Sequence, residues 1–132
     1  MGYIEINKKK SKYISKIDKS EPGWPSDVCA IYDEINKRLF DFDVEINDVM
    51  SKCGCRNNNI YTRFRHFVGR SPKEYMLHHR IELAKRLLEI GECPVSEVAF
   101  TVGYASPAAF SQTFKSWVGI SPSKFKRECK RD

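Results

Sequence analysis

The chain has 132 residues, 41% of them hydrophobic and 12% aromatic, enough for one domain of ordinary size with a small core. Its formal net charge of +6 and sequence pI of about 9.1 suit a polyanionic partner. No stretch approaches the length of a membrane span and the start is too hydrophilic for a secretory signal; five cysteines, odd in number and without paired ligand spacing, favour neither a disulfide framework nor a zinc site.

Residues 1–23 carry six lysines against three acids, with a basic run at Lys8-Lys9-Lys10-Ser11-Lys12. Tyr3-Ile4-Glu5-Ile6 is too short for an independent strand, and Pro22, Gly23 and Pro25 mark a boundary. The expectation is a mobile basic tail, with an arm that touches a polyanion as the alternative. Residues 24–52 invert the balance, with three basic and seven acidic side chains. Within them Val28, Ile31, Ile35 and Leu39 predict a helix over about Asp27 to Phe40, whose acidic face includes Asp33 and Glu34, followed by Asp41 and Asp43.

A helix, a glycine turn and a second helix come next. Ile46, Val49, Met50 and Cys53 fall at helical spacing and stop at Gly54, a residue that tolerates positive φ; Ile60, Phe64 and Phe67 then mark one face of a following helix. Opposite that stripe lie Asn58, Tyr61, Thr62 and Arg65, with Arg56 and Asn57 at the helix start. No carboxylate occurs between Gly54 and Lys73, although a merely solvated face would normally mix signs. Ser71-Pro72-Lys73-Glu74 reads as a capping box with Pro in the first turn. Tyr75, Leu77, Ile81, Ala84 and Leu88 continue at helical spacing to Gly91, and Pro94 forbids continuation. About 18 residues at 1.5 Å each predict a rod of roughly 27 Å.

The helix-turn-helix pattern then recurs. Val95, Val98, Ala99 and Val102 end at Gly103; Ser106-Pro107 opens a helix striped by Phe110, Phe114 and Trp117, with Ala108, Ser111, Gln112 and Lys115 opposite. The run Phe64-Arg65-His66-Phe67-Val68-Gly69-Arg70-Ser71-Pro72 is matched by Phe114-Lys115-Ser116-Trp117-Val118-Gly119-Ile120-Ser121-Pro122. Two copies are too few for a solenoid, so a duplicated small module is the reading. Trp117 and the phenylalanines are expected in the core. Cys53-Gly54-Cys55 is explained by the turn, since Cys55 takes the place of Tyr104 in the other copy. His66, His78 and His79 offer no metal or catalytic set. Without a nucleophile elbow, phosphate loop or paired carboxylates, no enzyme, cofactor or metal is expected.

Paired helices of this kind suggest major-groove insertion, against the alternative of αα-hairpins that only pack. Asn pairs bidentately with adenine and Arg with guanine or phosphate, so the outward faces fit duplex recognition. Residues 53–132 hold fourteen basic and seven acidic side chains, so the excess positive charge lies mainly with these elements. A stiff rod of that length would hold two recognition helices over successive grooves, about 34 Å apart.

The stretch Pro94 to Tyr104, continued by Phe110-Ser111-Gln112-Thr113-Phe114-Lys115 and Gly119-Ile120-Ser121-Pro122, resembles the C-terminal signature of the AraC/XylS family of bacterial transcription regulators. Arg80-Ile81-Glu82-Leu83-Ala84-Lys85-Arg86-Leu87-Leu88 is similar to that family's connecting helix. The likeness covers about residues 26–128. It implies an all-α fold of about seven helices with two helix-turn-helix units, and DNA-facing positions at Asn58, Asn59, Tyr61 and Thr62 in the first and Pro107, Ala108, Ser111 and Gln112 in the second. Met50 departs from a usually small residue, Arg56 from a Ser-like cap, and Pro107 and Ala108 from longer polar side chains.

The resulting expectation divides the chain into the tail (1–23) and a DNA-binding domain (24–132). The latter comprises a first subdomain (24–70), a connecting helix (71–91) and a second subdomain (92–132). It would act in the bacterial cytoplasm as a monomer on double-stranded DNA. Arg56, Arg63, Arg65, Arg70, Lys115 and Lys124 are the phosphate candidates. Asn58, Asn59, Tyr61, Thr62, Ala108, Ser111 and Gln112 are the base-reading candidates. The acidic helix would face away from the duplex, with RNA polymerase as a candidate partner. Two alternatives are the DNA-binding part of a longer effector-sensing regulator and a polymerase-docking adaptor that reads no DNA.

Overall fold

The computed structural model describes residues 3–42, 44–54 and 59–130. Every regular element in them is an α-helix: α1 Tyr3–Ser15, α2 Ser26–Lys37, α3 Ile46–Lys52, α4 Asn59–Val68, α5 Pro72–Ile90, α6 Val95–Thr101, α7 Pro107–Val118 and α8 Pro122–Cys129. They gather into two units. The first comprises Ile17–Leu39 and Val44–His79; the second comprises the described residues of Met1–Lys16, Phe40–Asp43 and Arg80–Asp132. The division falls inside α5.

In the first unit the stripe of α2 is fully buried: Val28, Ile31 and Ile35 expose nothing, and Leu39, which the sequence placed on this helix but which follows its end at Lys37, exposes 1%. It packs on α3 and α4, which contribute Val49, Met50, Ile60 and Phe64 to the same core. Tyr32 and Tyr75 lie 5.2 Å apart by ring centroid. Their hydroxyls donate to the Asp18 carbonyl and to Asn36 Oδ1, both at 2.6 Å, so neither phenol is buried without a partner. At the start of α5 the Ser71 hydroxyl accepts from the Glu74 amide at 3.2 Å. Glu74 reaches back to Ser71, and that bond holds its carboxyl below the usual range, completing the capping box. The helix stops at Gly91, whose amide still donates to the Leu87 carbonyl at 3.3 Å while its φ of 73° turns the following chain off the helix.

In the second unit α7 packs between α6 and α8. Val98, Ala99, Val102, Phe110 and Phe114 are fully buried, and Leu87 and Leu88 of α5 expose nothing either. Ser106 and Ser121 each cap a helix that has Pro in its first turn, accepting from the amides of Ala109 and Lys124 at 3.2 Å.

Arg80 is the buried charged side chain of the described residues, at 5% exposure. Its guanidinium donates to the Asp41 carbonyl at 2.8 Å and the Gly103 carbonyl at 3.3 Å, and its Cζ lies 5.4 Å from the centre of the Tyr104 ring. Burial pushes its pKa down, opposed by Tyr104 and Asp41. The turn at Gly103 is built around this group. Gly103 has φ +103°, and a Cβ there would meet Arg80 Cζ at 2.8 Å and the Phe40 carbonyl at 3.0 Å.

Two sequence expectations are corrected. Residues 1–23 are not a tail throughout, because Tyr3–Ser15 forms α1. The reason is a second, sparse periodicity under the lysines: Ile6 and Tyr13, two turns apart, are both 7% exposed. Tyr13 meets the Phe40 ring at 5.9 Å, and the Arg86 guanidinium sits 4.9 Å from its centroid. Nor are all the large aromatics core. Trp117 is 38% exposed, Phe100 43% and Phe42 54%, because the stripe that α7 needs to bury is supplied by Phe110 and Phe114.

The two matched glycines should respond differently to Ala. Gly54 has φ +72° and, among the described residues, open space where a methyl would stand. Gly54→Ala should therefore cost about 1–2 kcal/mol for the backbone conformation alone. Gly103→Ala adds the collision with Arg80 and should cost roughly 2 kcal/mol more. Urea unfolding of both variants checks the order; equal losses would contradict the packing described at Gly103.

Candidate nucleic-acid interface

Each unit holds one helix pair joined by a positive-φ glycine, α3–α4 at Gly54 and α6–α7 at Gly103. In both, the second helix buries one stripe and presents the opposite face to solvent. On α4 the buried positions are Ile60 and Phe64, while Asn59, Tyr61, Thr62, Arg65 and His66 are exposed. On α7 they are Phe110 and Phe114, while Pro107, Ala108, Ala109, Gln112, Lys115 and Ser116 are exposed and Ser111 is half-buried.

Several predicted residues have intramolecular roles. Arg63 forks onto Asp27 of α2, with both N–O distances 2.6 Å, which commits its guanidinium to joining α4 to α2. That bond is the main reason the Asp27 carboxyl sits below its ordinary value. Lys52 of α3 pairs with Glu34 of α2 at 2.9 Å and lowers that carboxyl as well. The Tyr61 hydroxyl donates to Asn47 Oδ1 on α3 at 2.8 Å, fixing the ring across the helix pair. Of the phosphate candidates, Arg65, Arg70, Lys115 and Lys124 remain exposed. Arg56, Asn57 and Asn58 lie outside the described residues.

The electrostatics of the two faces agree. The carboxylate-free interval from Gly54 to Lys73 has a longer counterpart in the second unit, where no acid occurs between Glu97 and Glu128. The first turn of α7 carries no acid and only small side chains; Pro107 has no N–H and the amides of Ala109 and Phe110 are taken by Ser106, so what this end offers is a smooth approach and a partially positive pole. Such a surface can take a polyanion close to the backbone, with Gln112 and Lys115 one turn further along.

The pairings Asp27–Arg63 and Tyr61–Asn47 and the buried Arg80 were not evident from the sequence. Asp27 and Arg63 are 36 positions apart, and no local pattern links them. A weak signal existed for Arg63 alone, since it borders the Ile60/Phe64 stripe.

Comparison with known proteins places this geometry. A family model described as "Helix-turn-helix domain" matches residues 49–128, and the chain belongs to that family, the AraC-type helix-turn-helix domains. It is similar to the Msm operon regulatory protein of Streptococcus mutans, 35% identical over 85 residues, which are 64% of this chain and 31% of that protein. Among solved structures, it resembles the C-terminal domain of AraT, a response regulator from Geobacillus stearothermophilus. That likeness has a TM-score of 0.72 and 25% identity, over 80% of this chain and 88% of that one. The DNA-binding domain of AdpA, a global transcriptional factor solved in complex with a target DNA, shares the fold. Its TM-score is 0.65 and its identity 24%, over 75% of this chain and 91% of that one. The chain spans about a third of the length of the curated relatives it matches.

The Asp27–Arg63 pair should make stability pH-dependent in one direction. A carboxyl held below its ordinary value of 3.8 stabilises the fold above that pH and loses the contribution as pH falls through the lower folded value. Asp27→Asn should cost about 0.2–1 kcal/mol near neutrality, the range for partly exposed pairs, and nothing once the pH lies below both values. Urea titrations at several pH values, with carboxyl chemical shifts to locate the Asp27 midpoint, measure this.

Proposed function

We propose that the chain is a sequence-specific DNA-binding transcription regulator whose recognition helices are α4 and α7. The observation that carries this reading is the repetition itself. Two helix–glycine–helix modules each bury one stripe of the second helix and leave its other face polar, basic and free of carboxylates. A pair of αα-hairpins that merely packed would have no reason to clear acids from both faces. The work proposed is binding, not chemistry.

The two helices enter consecutive major grooves. α5 is one unbroken helix of 19 residues, about 28 Å at 1.5 Å per residue. That is close to the roughly 34 Å of one duplex turn. Both modules lie in one polypeptide, so a single chain suffices for one site. Reading is unequal. α4 offers Asn59, Tyr61 and Thr62, joined by Asn58 just before it, whereas α7 offers Gln112 and Ser111 behind a small, smooth leading turn at Pro107 and Ala108. The first module specifies bases, and the second chiefly seats the backbone through Lys115 and Lys124 beside its smooth leading turn. The acidic α2 faces away from phosphate, where a basic surface of RNA polymerase could meet it.

Selection of bound duplexes from a random pool should return an asymmetric site, one well-defined half and one degenerate half about a turn apart; protection confined to one groove would refute the arrangement. Asn59→Ala should then weaken the selected site by about 1–3 kcal/mol while sparing non-specific binding. Lys115→Ala should weaken all sequences alike and flatten the slope of log affinity against log salt by about one.

A further inference from the structure

We propose that the groove between α1 and α6, with Phe42 and Phe100 in its lining, is a contact surface for a second copy of this chain. The groove has a volume of about 440 Å³, and all its lining residues belong to the second unit. Lys10 of α1, Glu97, Phe100 and Thr101 of α6, and Phe42 from the chain between α2 and α3 meet there. The apolar surface is open to solvent, since Phe42 is 54% exposed and Phe100 43%. Ile6 also lines the groove, but at 7% exposure it belongs to the fold and not to the patch. Glu97, Phe100 and Thr101 stand at i, i+3 and i+4, on the face of α6 that Val98 and Ala99 do not bury. Open phenyl rings gathered in one groove mark a surface that is covered by something.

Charge selects the occupant. The lining carries one cation, Lys10, and one anion, Glu97, so the patch is balanced in a chain of net charge +6. Lys10 Nζ lies 5.8 Å from the centre of the Phe40 ring, and Glu97 is exposed. Neither takes part in the ion pairs among the described residues. Duplex phosphate would meet Glu97 as a like charge and bring nothing apolar to cover the rings. An acidic segment would likewise oppose Glu97, and a basic one Lys10. A surface that holds both signs beside open aromatic rings is complementary to its own two-fold image. In such an isologous pair Lys10 of each copy faces Glu97 of the other, and the phenylalanine rings close over one another. The Thr101 hydroxyl already donates to the Glu97 carbonyl at 2.7 Å, so covering it strands no donor. The groove takes no lining residue from α7, whose exposed face stays with the duplex reading.

The test is sedimentation velocity of the full chain, without DNA, so its outcome is separate from that of the duplex reading. A concentration series from about 1 to about 300 µM should show a reversible monomer–dimer equilibrium, as a small transient interface gives. Phe42→Ser/Phe100→Ser should weaken the dimer by more than about tenfold, with helix content unchanged by circular dichroism. Lys10→Glu and Glu97→Lys should each weaken it by a similar factor, because each variant sets like charges against one another twice across the two-fold axis. An equimolar mixture of those two single variants should recover a mixed dimer within about threefold of the original strength, since every position 10 again faces an opposite charge at position 97. A contact confined to one chain, or made with a different protein, gives no such recovery. The proposal is overturned by a chain that stays monomeric throughout the series, by a dimer indifferent to the phenylalanine variant, or by a mixture that associates no better than its components.

Discussion

A cation removed from water must be met by oxygen atoms, and Arg80 is met by backbone carbonyls drawn from two distant places in the chain. That requirement shapes much of the second unit. It brings the loop at Asp41 next to the turn at Gly103, it demands a residue without a side chain at that turn, and it sets Tyr104 as the aromatic lid. The Tyr104 hydroxyl is buried there beside Thr113 and Arg80 without a well-formed hydrogen bond, and burial pushes its pKa up. The orientation of α7 relative to α6 follows from these contacts as much as from the phenylalanine stripe.

The first copy of the module has no such plug among the described residues. Its matched glycine, Gly54, opens on empty space there, and its helices are tied by side-chain pairs at the surface: Asp27–Arg63, Glu34–Lys52 and Tyr61–Asn47. One ancestral plan is thus held together in two physical ways, from within in one copy and from the rim in the other. The rim solution places ordered polar side chains beside the exposed face of α4, which suits the half proposed to discriminate bases. The interior solution leaves the leading turn of α7 bare, which suits close approach to a backbone.

Periodicity and punctuation made most of the fold legible. The stripes Val28/Ile31/Ile35/Leu39, Ile60/Phe64 and Phe110/Phe114 are strict and fully buried, and Gly54, Gly91 and Gly103 each adopt positive φ. Ser-Pro before α5, α7 and α8 marks real caps. What escaped was long-range or sparse. α1 hides because two inward residues, Ile6 and Tyr13, are outvoted by lysines in any local average, and its partners come from Phe40 and Arg86. Arg63 passed for a free cation because Asp27 is remote in sequence. Arg80 looked like one more basic residue of a connecting helix, and nothing local announces that it is internal. Trp117 erred the other way: its hydrophobicity suggested a core position that two phenylalanines had already filled.

The contrast between the two ways of tying a module has a consequence in acid. Carbonyl oxygens do not titrate across the accessible range, whereas the carboxyls of Asp27 and Glu34 do, and both owe their lowered pKa mainly to the cations they hold. Proton uptake would therefore loosen α2 from α3 and α4 while Arg80 keeps its grip on the Gly103 turn. Acid strong enough to fall below the lowered folded values of these two carboxyls weakens the ties of one half of the molecule and leaves those of the other untouched, a way of asking which half a bound partner steadies.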